Sequence, residues 1–140
     1  MVQVIGIIYQ QNNLLPDFTA LENVYLASLS LHNDKDLAVS KAKRLLKLVG
    51  LLNRSDHFPS QLSGGEAQRI AIARAIINDP EVILADEPSG NLDSKNKEEL
   101  HKLFFSLRDL YKPTIVIVTH DKNLAEMSDR MITMTDGNID

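Results

Sequence analysis

Asp86 and Glu87 stand side by side directly after the apolar run Val82-Ile83-Leu84-Ala85. A single Asp in that position is an ordinary turn or cap residue. Two adjacent carboxylates closing a buried run bring desolvated like charges together, and that requires something cationic nearby. A divalent metal bound to phosphate supplies the charge. Asp86 then fits the metal role, and Glu87 that of a base that orients or deprotonates an attacking water. Ser63-Gly64-Gly65-Glu66 is a second chemically capable group. S-x-x-E is a helix-starting capping box, and two glycines with free backbone N–H groups at a helix start also let a phosphate approach closely; the two roles coexist. Gln10 and His120 each follow an apolar run as well. Alone, each is an ordinary loop or strand-end residue, and their weight comes from where the runs end.

The elements that must position these residues follow from periodicity. Apolar, β-branched runs alternate with amphipathic segments, the pattern of an α/β fold with a parallel sheet. Strands are predicted over Val2–Tyr9, Glu81–Ala85, Thr114–Thr119 and, last, Met131–Thr135 before the Asp136-Gly137 turn. Thr19-x-x-Glu22 is a capping box opening a helix with Leu21, Val24, Tyr25, Ser28 and Leu29 on one face. A second helix runs from about Asp36, with Ala38, Ala42, Leu45 and Val49 in phase, to a terminating Gly50. Ser63 opens a third helix, apolar enough through Ala67–Ile77 to be deeply buried. A fourth starts at Asp93 or Ser94 with Leu100, Leu103, Phe104, Leu107 and Leu110 inward, and a short one lies near Leu124–Ser128. In open parallel sheets ligands bind beyond the carboxyl ends of the strands, which is where Gln10, Asp86, Glu87 and His120 would converge.

Composition narrows the class. A length of 140 residues holds one domain. With no Cys, no disulfide can form. A net charge of −4 gives no electrostatic footprint for nucleic acid. The longest uncharged apolar stretches fall far short of the roughly 18 residues of a membrane span, and no basic leader precedes an apolar one; the chain is expected to be soluble and unexported, while free to dock on a membrane partner. His32, His57 and His101 lack metal-ligand spacing and are assigned to the surface, and Lys41, Lys43, Arg44 and Lys47 to the solvated face of the second helix.

Taken together, these residues resemble the ATP-binding-cassette (ABC) ATPases: a Q-loop at Tyr9-Gln10, the signature Leu62-Ser63-Gly64-Gly65-Glu66 with Gln68-Arg69 behind it, a Walker B strand Val82 to Asp86 with Glu87, a D-loop Ser89-Gly90-Asn91-Leu92-Asp93 and the His120 switch, in family order. Within that family the stretches Asn13–Val24 and Ala85–Asp93 are most similar to the LolD type of lipoprotein-releasing transporters. The resemblance implies the C-terminal part of an ABC-type P-loop NTPase fold: core strand and Q-loop over residues 1–12, a mainly helical subdomain over 13–62, and core again over 63–140. It implies ATP and Mg²⁺ as cofactors, with Asp86 and Gln10 on the metal, Glu87 and His120 catalytic, and Gln10, Ser63, Gly64, Gly65, Glu66 and Asp93 binding nucleotide. The implied partners are a second ABC ATPase subunit, the same or different, whose nucleotide meets this signature, and integral membrane transporter subunits reached through the Q-loop. The implied setting is the cytoplasm, peripheral on the inner face of the cell membrane, powering lipoprotein release from that membrane.

One departure is large. No G-x-x-x-x-G-K-[ST] phosphate loop occurs among the six glycines. In the family that loop precedes the Q-loop, so the chain is expected to be the C-terminal portion of a longer protein. It is also expected to turn over negligible ATP alone and to expose a hydrophobic edge at the Thr114–Thr119 strand. A non-catalytic or regulatory module paired with an intact subunit is the first alternative. A DNA-linked ABC-type ATPase is the second, set against by the acidic charge and by the mere 52 residues between Gln10 and Ser63, where those proteins carry a long coiled coil.

Overall fold

The computed structural model describes residues 5–140. Strand β1 (Ile5–Ile8) pairs in parallel with β2 (Val82–Asp86), which pairs in parallel with β3 (Thr114–Val118), in the order β1-β2-β3. Positions 2–4 of the predicted first strand lie outside the described residues, and Tyr9 falls just past the strand end. Register sets Ile8 beside Ala85 and Asp86 beside Val118, so all three strands finish at one edge of the sheet.

Helix α3 (Gly64–Ile76) is the keel of the molecule. Nine of its thirteen residues are buried, as the apolar run predicts, and it packs on β1, where Gly6 lets the helix come close. A Cβ on Gly6 would lie 2.6 Å from the Ala75 carbonyl oxygen. Helices α1 (Ala20–Leu29) and α2 (Lys35–Leu48) pack on each other and on α3 through Val24, Ala38, Ala42, Leu45 and Leu46. Helix α4 (Ser94–Tyr111) adds Leu100, Phe104 and Leu107 to the same core. Each large side chain buried this way contributes about 1.5–3 kcal/mol. The caps fall where the sequence places them: Thr19 and Ser63 close capping boxes with Glu22 and Glu66, Asp93 caps α4, and Gly50 follows α2 at φ 79°.

Three expectations need correction. The strands are buried on one face only. Ile8, Ile83 and Ala85 face α3, whereas Ile5, Ile7, Leu84, Val116 and Val118 are exposed, because among the described residues the helices pack against one side of the sheet. Strand β3 is an edge, as expected, and what lies bare is a whole apolar face with Ile7, Leu84 and Val116 in one register row. The predicted last strand shrinks to β4 (Met134–Thr135), which pairs antiparallel with β5 (Asn138–Ile139) and not with the parallel sheet. Asp136 and Gly137 both take positive φ, the requirement of a two-residue hairpin turn, and that local chemistry wins over any longer run. Leu110 is exposed although it is in phase with the α4 core face, since it lies in the last turn of that helix. The short helix α5 covers Lys122–Met127 and is capped by Asp121.

Candidate nucleotide and metal site at the strand ends

The strand ends bring Gln10, Asp86, Glu87 and His120 to one rim of the sheet. Glu87 is the hub. Its Oε1 accepts the His120 backbone N–H at 2.6 Å, its Oε2 accepts the Thr119 hydroxyl at 3.3 Å, and its own N–H donates to the Val118 carbonyl at 2.8 Å. The His120 imidazole Nε2 lies 3.7 Å from Glu87 Oε1 with the ring fully in solvent. Glu87 holds φ 42°, in the left-handed region that is uncommon for a non-glycine residue. Asp86, one residue earlier, is exposed, and its carboxylate takes no hydrogen bond or ion pair among the described residues.

The two carboxylates of the acidic pair therefore differ. Glu87 is tied by one hydrogen bond at each oxygen to the segment after β3, while Asp86 is open to an external cation. Among the described residues no cluster of three or more His, Cys, Asp or Glu could hold a metal by itself. One free carboxylate at the strand end suits Mg²⁺, which keeps water and phosphate oxygens in most of its positions.

Gln10 leaves β1 and meets the turn that follows β2. Its Nε2 donates to Asn91 Oδ1 at 3.3 Å, and a Cβ on Gly90 would stand 2.7 Å from that nitrogen. Gln10, Asn12, Gly64, Gln68, Asn91 and Leu92 line a cleft of about 420 Å³. The turn Ser63-Gly64-Gly65 thus borders the same cleft as Gln10 but makes no hydrogen bond to Glu87 or His120 among the described residues. Its bonds are internal. Glu66 N–H donates to Ser63 Oγ at 3.1 Å, Ser63 N–H donates to Glu66 Oε1 at 2.9 Å, and Arg54 Nε reaches Glu66 Oε2 at 3.2 Å. The Ser63 amide, helped by Arg54, holds the Glu66 carboxyl below its ordinary range. Ser63 and Gly64 are exposed, whereas Gly65 is buried against Asn96, whose Oδ1 would be 2.5 Å from a Cβ there. Asp93 Oδ1 accepts from the Asn96 N–H and side-chain amide at 2.9 and 3.0 Å, and the backbone bond lowers its pKa.

Of three residues that hold the site together, Gln68 was read from sequence only as following the signature, and Arg74 and His101 were not singled out for the site. Gln68, 3% exposed, donates from Nε2 to the Tyr9 carbonyl at 2.8 Å and the Pro88 carbonyl at 2.7 Å, tying the exits of β1 and β2 to α3. The Arg74 guanidinium donates to the Asn13 and Asn12 carbonyls at 3.0 and 2.7 Å, and burial pushes its pKa down. The available signal was a polar interruption in an apolar helix, since a buried helix keeps such residues only where they find partners. His101, assigned to the surface, is 6% exposed, and its Nε2 lies 2.8 Å from Ser89 Oγ. It sits on the inward stripe of α4 between Leu100 and Phe104, and its ring found a buried hydroxyl in place of solvent. His32 is exposed and His57 half-buried. Asn23 is likewise buried, bonding the Leu15, Phe18 and Thr19 carbonyls and holding the segment before α1.

Residues 1–90 match the family model described as ABC transporter, and the chain belongs to that family. Among curated relatives it is 56% identical over 135 residues to the lipoprotein-releasing system ATP-binding protein LolD of Cytophaga hutchinsonii, covering 96% of this chain and 62% of that protein. It is equally similar, with the same coverage, to LolD of Bacteroides fragilis. The chain therefore spans about three fifths of the length of the curated relatives it matches. Among solved structures it superposes on the dimeric ATP-binding cassette MJ0796 in a post-hydrolysis state bound to ADP and Pi, with TM-score 0.85, 41% identity, and 98% of this chain and 61% of that one covered. The expected membership of the ABC family and the α/β cassette fold are both borne out, and the resemblance to LolD proteins is found as well. No helix of the described residues is long and apolar enough to cross a membrane.

Proposed function

We propose that this chain is the motor part of an ABC transporter of the lipoprotein-releasing kind, binding Mg²⁺-ATP together with a second ATPase subunit and acting on membrane subunits. The observation that carries the reading is the unequal acidic pair: Asp86 free and exposed, Glu87 locked to the His120 backbone, both at the strand edge reached by Gln10. Asp86, with the Gln10 amide, would hold the magnesium ion, which supplies charge neutralisation for the phosphates. Glu87 orients and deprotonates the water, and the exposed His120 imidazole reaches the terminal phosphate. The exposed Ser63 and Gly64, with Gly65 buried directly behind them at the positive end of α3, would receive a triphosphate held by the other subunit. Glu66 and Asp93 act there by fixing the turn and the start of α4. The working position is cytoplasmic and peripheral on the inner face of the cell membrane.

Two findings on other proteins support this reading: the names of the LolD relatives, and the dimeric state of the MJ0796 cassette with ADP and Pi. These 140 residues contain no phosphate loop, so turnover requires one supplied from outside them. The test is ATPase assay of the chain alone and mixed with an intact LolD relative. Alone, it gives no turnover above a Glu87→Gln control. In the mixture, Ser63→Arg in this chain lowers the rate; a rate untouched by Ser63→Arg leaves the chain a bystander and refutes the shared site.

A further inference from the structure

The segment after Glu87 and the segment holding His120 meet a common side chain. Ser89, two residues past Glu87 and 2% exposed, lies 2.8 Å through its Oγ from His101 Nε2 on α4. On its other side His101 lines a cavity of about 570 Å³ together with Asp121, Lys97 and Asn123. Asp121 is the residue after His120. Its N–H donates to Thr119 Oγ1 at 2.9 Å, Thr119 Oγ1 donates to Glu87 Oε2, and its own carboxylate caps α5. A buried imidazole thus stands between the two segments whose hydrogen bonds define where the Glu87 carboxylate points.

We propose that His101 is a positioning residue: by holding Ser89 from α4 while facing Asp121, it fixes the turn Glu87–Leu92 against the His120 segment and so sets the orientation of Glu87. The ring is neutral near pH 7. Burial pushes its pKa down, against the pull of Asp121 and with the push of Lys97, and its tie to the uncharged Ser89 hydroxyl is a hydrogen bond. A buried hydroxyl and a buried ring nitrogen satisfy one another, and removing either leaves the other unpaired. The inference rests on the reading of Glu87 as the base only for its consequence in turnover; the tie itself is measurable without nucleotide.

Amide hydrogen exchange of the full chain, read by NMR without ATP, tests it. Three amides report on the tie: Gly90 N–H on the Glu87 carbonyl, Leu92 N–H on the Ser89 carbonyl, and His120 N–H on Glu87 Oε1. His101→Ala and His101→Asn are expected to speed exchange at all three by about tenfold, the effect of one net hydrogen bond. His101→Gln, whose terminal amide reaches the place of Nε2, restores the slow rates. The Glu66 N–H, bonded to Ser63 Oγ, stays as in wild type throughout. Wild-type rates at Gly90, Leu92 and His120 in His101→Ala, or a His101→Gln variant as fast as His101→Ala, overturn the proposal. Should the variants fail to fold, the wild-type ring decides. One neutral tautomer persisting well below pH 6.5 supports the tie, and a ring that averages between tautomers and titrates as free histidine does overturns it. Failure of the nucleotide reading would show only in the ATPase mixture and leave this exchange pattern intact.

Discussion

The turn at the start of α3 and the cluster at the strand ends both present groups suited to phosphate, yet they are built in opposite ways. The turn is self-contained: Ser63 and Glu66 satisfy one another across three residues, and two glycines leave the backbone bare. The strand-end cluster is assembled from afar, with Glu87 gripping an amide 33 residues along the chain and Gln10 reaching Asn91 across 81. A local device tolerates changes elsewhere in the fold, whereas a long-range one depends on every element that sets its spacing. Helix α3 joins the two. Its first turn is the local device, and Gln68, one turn further on, pins the loops that carry the distant one.

The comparison breaks most sharply at Gln68. Gln68→Leu strands two carbonyls, and at about 1–3 kcal/mol for each lost partner it should cost about 2–6 kcal/mol in urea unfolding. Exchange protection should fall at Gly90 and His120 more than at Glu66; a variant as stable as wild type would remove Gln68 from the account. Arg74→Met comes next at about 1–3 kcal/mol, through loss of two charge-assisted bonds to the Asn12 and Asn13 carbonyls, with Arg74→Lys recovering part of it. Ser63→Ala should cost about 1 kcal/mol, as loss of a cap does, and leave the amide shifts of Gly90 and His120 unmoved. A shift at those amides would mean that the turn is not local.

Acid sharpens the same contrast with the smallest effect. His101 binds its proton less readily folded than unfolded, so its contribution is complete above 6.5, its ordinary value, and is lost as pH falls through the lower folded one. Glu66, Asp93 and Asp121 also have lowered values. Their contribution is complete above the ordinary carboxylate range and is lost only as pH falls below it. Thermal midpoints should therefore decline in two stages on acidification. His101→Gln should flatten the first stage, next to the strand-end cluster, and Glu66→Gln should reduce the second, at the turn. A single stage unaffected by His101→Gln would show that the ring carries no burial penalty.

Much of this was legible without coordinates where cause and effect are close in sequence. The capping boxes at Thr19 and Ser63, the αL glycine after α2 and the two strands read as Glu81–Ala85 and Thr114–Thr119 depend on side chains one to four residues apart, and all of them appear, the strands with ends shifted by one residue. The last strand was read as too long: the Asp-Gly turn that closes it was recognised, but only Met134 and Thr135 beside that turn pair. His101 was misplaced because a histidine three residues before Phe104 carries no mark of whether a buried hydroxyl waits for it.

The residue types and their order determined that this is an ABC cassette chain with its acidic pair, bare-backbone turn and terminal histidine on elements of the right kind, since periodicity and caps are short-range properties of the chain. Only the tertiary structure decided that Asp86 stays free while Glu87 is tethered, that Gln68 and Arg74 hold the loops, and that one sheet face is left uncovered. Those outcomes depend on which groups separated by tens of residues come within hydrogen-bonding distance, and packing of α3 and α4 against the sheet sets those distances.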